Sequence, residues 1–123
     1  MSNHNIIAAA KHPRDATDIV IYESTWTNHA LLHEELKDCG FNEDCLNEVV
    51  ETLSNPDIIR EGRKPEIEEL FIRYTTQLEL GKYKGFSVST RTTDNTTYMT
   101  TAYHDIVKSS KGKVIWKKGD SDV

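Results

Sequence analysis

The chain predicts an α+β domain: two N-terminal helices packed on one face of a roughly four-stranded antiparallel sheet. Three observations predict it. Apolar residues recur at helical spacing on either side of Gly40, from Leu32 to Cys39 and from Leu46 to Leu53. After Pro56 the period switches to two. A polar corner, Asp94-Asn95, then separates two alternating runs as a hairpin turn would. The 123 residues suffice for one domain with a real core, and no repeat or low-complexity stretch divides them.

Residues 1–16 are polar and irregular and are expected to form a loose arm, with the domain over 17–119 and a tail at 120–123. "DIVIYES" (Asp18 to Ser24) is β-rich and reads as a short first strand. The first helix is punctuated by Thr27 as N-cap, by Trp26 and Leu31 at hydrophobic-staple positions, and by Gly40 as its stop. Leu32, Leu36 and Cys39 share one of its faces. The second helix has Asn42 as N-cap, and Glu43 and Asp44 lie in the first turn, where the helix dipole favours them. Phe41 and Leu46 repeat the staple, and Leu46, Val49, Val50 and Leu53 form one apolar stripe. Pro56 biases the preceding residue away from helix and ends the element near "SNPD".

Four extended pieces follow. "DIIREG" is short, and "EELFIRYTTQLEL" alternates enough for a strand. "YKGFSVSTRT" places Phe86, Val88 and Thr90 on one face and Ser87, Ser89 and Arg91 on the other. "YMTTAYHDI" lies beyond the Asp94-Asn95 corner, and "KGKVIWKKG", turned into by Gly112, is the last short strand. The helices are then expected on one face of the resulting sheet.

Composition narrows the function classes. The hydrophobic fraction is 37% and the mean hydropathy −0.60, and no apolar run approaches a membrane span, so no membrane partner is expected. The opening "MSNHNIIAAAKHPRD" lacks a basic leader and does not read as a signal peptide. Cys39 and Cys45 are the only cysteines, which suggests reduced thiols and a cytoplasmic setting. A zinc site needs more ligands than "CGFNEDC" supplies. Charge is unevenly placed: residues 1–80 carry seven Lys and Arg against sixteen Asp and Glu, net −9, and residues 81–123 carry eight against four, net +4, for the total of −5. The acidic total argues against indiscriminate nucleic-acid binding, and the basic last third allows a local phosphate-binding surface.

His29 and His33 lie four residues apart near the start of the first helix. A four-residue step turns about 400°, so the two share nearly one side, flanking the Leu32/Leu36 stripe. Three readings compete. They are rim histidines that pack or cap; or they ligate metal; or one serves in metal-free acid–base chemistry with Glu34 orienting it. Metal is disfavoured because Ala30 stands where H-E-x-x-H requires its general base, and nothing ties His104 to this face as a third ligand. The spacing alone leaves the other two readings open.

The segments "WTNHALLHE", "VVETLSNPDIIREG", "KGFSVST" and "YMTTAYHDI" together resemble the BECR ribonuclease superfamily, which joins barnase, EndoU, the tRNA-cleaving colicins and RelE, and most of all its phage-associated branch. The likeness runs from about Tyr22 to Ile106. It implies two helices on a four-stranded antiparallel sheet and a toxin-like, metal-independent, cofactor-free endoribonuclease, cleaving RNA (mRNA or tRNA) by attack of the ribose 2′-OH on the adjacent phosphate. It also implies His29 and His33 as acid and base, Thr101 and Tyr103 holding phosphate oxygens, and an antitoxin or immunity protein as a partner. Arg60, Arg73 and Arg91 are candidate phosphate clamps, since a guanidinium can bind two oxygens at once. Lys82 and Lys84, with Lys108, Lys111, Lys113, Lys117 and Lys118, are candidates to steer RNA. A second class stands beside this one: a non-catalytic protein-binding or regulatory module on the same kind of fold.

Overall fold

The structure is a computed structural model and describes residues 5–32, 43–80, 82–107 and 112–118. The element order is β1 (Ile6–Lys11), β2 (Asp18–Tyr22), α1 (Glu23–Leu32), α2 (Glu43–Ser54), β3 (Ile58–Glu61), β4 (Glu68–Glu79), β5 (Lys82–Thr93), β6 (Thr96–Ile106) and β7 (Val114–Lys117). The expected four-stranded antiparallel sheet is corrected. Seven strands form one mixed sheet in the order β1-β2-β6-β5-β4-β3-β7, and both helices fall between β2 and β3 in the chain.

The difference comes from two joins. Ile6–Lys11 lies within the segment expected to be an arm, yet it pairs antiparallel with β2, its far end pinned by Lys11 Nζ 2.6 Å from Asp18 Oδ1. Three consecutive alanines carry no strand preference of their own, so the pairing partner decided this strand. β2 then joins the meander through a short parallel ladder, Ile19↔Thr97 and Val20↔Tyr98, which makes the sheet mixed. At the other end β7 pairs with β3.

Most local expectations survive inside this larger sheet. Val49 and Leu53 of α2 are fully buried, with Leu46 and Val50 packed beside them. Asp94 and Asn95 both take positive φ, 51° and 65°, which is the two-residue hairpin turn whose twist matches its strands. α1 is corrected at its start: it begins at Glu23, directly after β2, and not at Thr27. Its first N–H is already satisfied, since the Glu23 N–H donates to Asn5 O at 2.8 Å. The expected helix beyond Leu32 falls outside the described residues.

The sheet curls. β1 and β4 lie four positions apart, about 19 Å in a flat sheet. Yet the ring of His12, which follows β1, meets Phe71 of β4 edge-on with centroids 5.2 Å apart. The curl encloses the core between the helices and one face of the sheet. Ile19, Ile21, Phe71, Phe86, Val88, Met99 and Ala102 supply the sheet side, and Trp26, Val49 and Leu53 the helix side. Side chains as large as Phe71 and Met99, buried completely, each contribute about 1.5–3 kcal/mol.

A bulge in β6 decides what the opposite face carries. Thr90 pairs with Met99, but Ser89 pairs with Thr101, so Thr100 is an extra residue. Without it, Met99, Thr101 and Tyr103 would share one face. With it, Met99 enters the core while Thr101 and Tyr103 point away from it.

Candidate functional site: a cavity on the helix-free face

The face turned away from the helices holds an open cavity of about 800 Å³. Its floor is built from three adjacent strands. Ser87 stands across from Tyr103, and Ser89 across from Thr101, giving a two-by-two block of hydroxyls on β5 and β6. On β4, Ile72 neighbours Ser87 and Leu70 neighbours Ser89, so an aliphatic strip runs alongside the hydroxyl block. Ile106 and Val107 at the end of β6 extend the aliphatic lining, and Gly62 and Arg63 of the β3–β4 turn form another wall.

One ion pair crosses the cavity end. Arg91 Nε donates to Glu68 Oε2 at 2.9 Å, and its Nη2 donates to the same oxygen. Glu68 also accepts the Lys64 N–H at 3.2 Å. The Arg91 hydrogen bond holds the Glu68 carboxyl below the ordinary glutamate range, with burial opposing it. Arg91 therefore arrives at the cavity with its counter-charge already beside it.

The residues singled out from sequence divide between the two faces. Arg91, Thr101 and Tyr103 all line the cavity, Arg91 on the β5 face it shares with Ser87 and Ser89, and Thr101 and Tyr103 through the register beyond the Thr100 bulge. Arg73 lies on the core face. Its Nε donates to Thr52 Oγ1 at 3.2 Å, its Nη2 pairs with Glu48, and its guanidinium sits 5.5 Å from the Phe86 ring centroid. It fastens β4 to α2. Arg60 donates through Nη1 to Gly112 O at 3.0 Å, while its buried Nε has no hydrogen-bond partner among the described residues. Lys82 pairs with Glu79 at the tip of the β4–β5 hairpin, with Nζ 3.7 Å from the carboxylate, and Lys84 stands opposite Ile106 at the hairpin's root. Lys117 ends the edge strand β7, and Lys113 and Lys118 flank it, where charge discourages pairing with another sheet edge.

His29 lies in α1, but its side chain is outside the described residues, as are all of His33, Lys108 and Lys111. The helix that carries His29 packs its Trp26 into the core, on the other side of the sheet from Thr101 and Tyr103. His104 also belongs to the core face: it stacks on Phe86 with centroids 4.4 Å apart, and its Nε2 lies 3.0 Å from Thr75 Oγ1.

Sequence reasoning missed the aliphatic strip and the partner of Arg91. The strip was hidden because Leu70 and Ile72 alternate with Phe71, so only the register shows which of them face the core. Glu68 is the direct cross-strand neighbour of Arg91, which the hairpin register alone would have revealed. No group of three or more His, Cys, Asp or Glu side chains among the described residues is arranged to hold a metal ion. Nor is any described helix long and apolar enough to cross a membrane.

Chemically, the cavity is an amphipathic slot. Its hydroxyls can each donate and accept, its lining includes aliphatic side chains, and Arg91 is neutralised by Glu68 while Arg63 stands on another wall. Comparison with family models, with curated proteins and with solved structures finds no match to this chain.

Proposed function

We propose that this domain is a non-catalytic binding module that takes a short, mainly aliphatic segment of a protein partner in the cavity on its helix-free face. The pairing of a hydroxyl block with an aliphatic strip carries this reading. A peptide backbone presents alternating donors and acceptors, which hydroxyls can match from either side, and aliphatic side chains bury against Leu70 and Ile106. A cavity of about 800 Å³ lies within the usual size of ligand sites. The cysteine content supports a reducing, cytoplasmic setting.

Panning a short-peptide display library against the wild type and against Ser89→Arg, which fills the cavity with a cation, tests the reading. Aliphatic peptides should be enriched by the wild type and lost on the variant. Equal enrichment on both proteins would remove the cavity from the account.

A second reading, the metal-free endoribonuclease, is favoured by one observation: Thr101, Tyr103 and Arg91 converge in a single cavity. RNA would be its substrate and a neutralising antitoxin its protein partner. It ranks second because Glu68 neutralises Arg91 and α1 packs on the opposite side of the sheet. RNA degradation by purified protein in EDTA, beside Tyr103→Phe and a His29→Ala/His33→Ala double variant, decides between them. Cleavage by the wild type that disappears in the variants would displace the binding module.

A further inference from the structure

The β4–β5 hairpin leaves the body of the domain beyond Tyr74. Every residue from Thr75 to Leu80 is exposed, with Leu78 at 48% and Leu80 at 95%. Two leucines held in water at the end of a ribbon cost solvation and do nothing for the core of their own chain. The ribbon is nevertheless braced. The Tyr74 and Tyr83 rings lie 4.6 Å apart, Thr75 Oγ1 donates to Lys84 O at 3.1 Å, and Lys82 pairs with Glu79. An isolated two-stranded ribbon is marginal in water, so these contacts present the leucines in a fixed direction. Less entropy is then lost on docking.

The same chain carries a slot of matching chemistry. The cavity offers Leu70 and Ile106 to apolar side chains, hydroxyls to the backbone, and Arg63 as an opposite charge to Glu79 between the two leucines. The tip cannot enter its own cavity, because β4 runs from the cavity at Glu68 outward to Glu79. Slot and ribbon do adjoin: Ile106 lines the cavity and is also the cross-strand partner of Lys84 at the ribbon's root. A two-fold axis beside that seam would lay each ribbon over the other copy's cavity, a closed and self-complementary arrangement.

We infer that the occupant of the cavity is the Leu78–Leu80 hairpin tip of a second copy of this chain, exchanged reciprocally in a dimer. This rests on the binding-module reading and names its partner. The test is sedimentation velocity on the full chain across a wide concentration range. The variants are a Leu78→Ser/Leu80→Ser tip variant, whose changes are exposed, and two cavity variants, Ser89→Arg and Ile106→Glu. Circular dichroism selects the cavity variant that keeps the wild-type fold.

The wild type should run at twice the monomer mass, and each variant alone as a monomer. An equimolar mixture of tip and cavity variants should recover a dimer, since one intact tip then meets one intact cavity. A wild type that stays monomeric at every concentration, or a tip variant that dimerises as the wild type does, overturns the inference. A monomeric wild type that still enriches aliphatic peptides lost on Ser89→Arg sinks the exchange alone and leaves the binding module standing.

Discussion

His12 Nε2 lies 2.8 Å from Glu69 Oε1, although β1, which His12 follows, and β4, which carries Glu69, sit at positions one and five of the sheet. The His12 Nδ1 accepts the Arg14 N–H at 3.1 Å, and this network assigns the ring proton to Nε2, which donates to Glu69. Arg14 Nη2 donates to the other oxygen, Oε2, at 3.0 Å. The ring is 5% exposed, so this contact closes one end of the core. His12→Ala should lower the unfolding free energy by about 2 kcal/mol, the scale of a buried bond to a charged group. Urea denaturation at neutral pH measures it.

Acid should find the same contact. Burial pushes the Glu69 carboxyl up, but the hydrogen bond from His12 and the charge and hydrogen bond of Arg14 outweigh it and leave the group below the ordinary glutamate range. A depressed folded value contributes stability that is present above the unfolded value, about 4.3, and lost as the pH falls through the folded one. The urea midpoint of the wild type should therefore drop below about pH 4.3, and Glu69→Gln should flatten that part of the profile. An unchanged slope in the variant would place the acid sensitivity elsewhere.

Arg73 tests the division of the two faces. Arg73→Ala removes the bond to Thr52, the Glu48 pair and the contact over Phe86. The Thr52 hydroxyl keeps its bond to Glu48 O at 2.9 Å, so no buried group is orphaned. The expected loss is about 1–2 kcal/mol in urea unfolding. Peptide enrichment by the cavity should be unaffected, and a large change there would contradict the assignment of Arg73 to the core face.

Two backbone positions should respond in opposite directions. At Gly85 an added Cβ would sit 2.4 Å from Arg73 O, a backbone atom that cannot swing aside, so Gly85→Ala should cost more than about 2 kcal/mol. Ala16 holds φ at 61° in the β1–β2 turn, and Ala16→Gly should gain about 0.5–1 kcal/mol by relieving it. Thermal melts of both variants beside the wild type suffice.

Glu68→Gln should turn the cavity toward anions. It removes the charge that neutralises Arg91 while keeping the shape. In a titration with inorganic phosphate, the amide resonances of Ser89 and Thr101 should move in the variant and stay still in the wild type. Added salt should suppress the shift. Equal movement in both proteins would show that Arg91 is not held by Glu68 in solution.

Most local elements after the first helix, and the faces within them, were legible in the sequence. The stripe of α2, the strands after Pro56, the Asp94-Asn95 turn and the alternation of Ser87, Ser89 and Arg91 against Phe86 and Val88 all follow from periods of 3.6 and 2 and from turn chemistry, which act over a few residues, while the expected cap at Asn42 lies outside the described residues. Tertiary structure decided the rest, because it depends on partners far apart in the chain. Ile6–Lys11 became a strand only by pairing with β2, and the sheet reached seven strands only through the parallel join of β2 to β6. The Thr100 bulge set which way Thr101 and Tyr103 point, and the Glu68–Arg91 register neutralised the arginine on the cavity's β5 strand. A strand's period says which residues share a face, but only the register and the curl of the whole sheet say which face is the core.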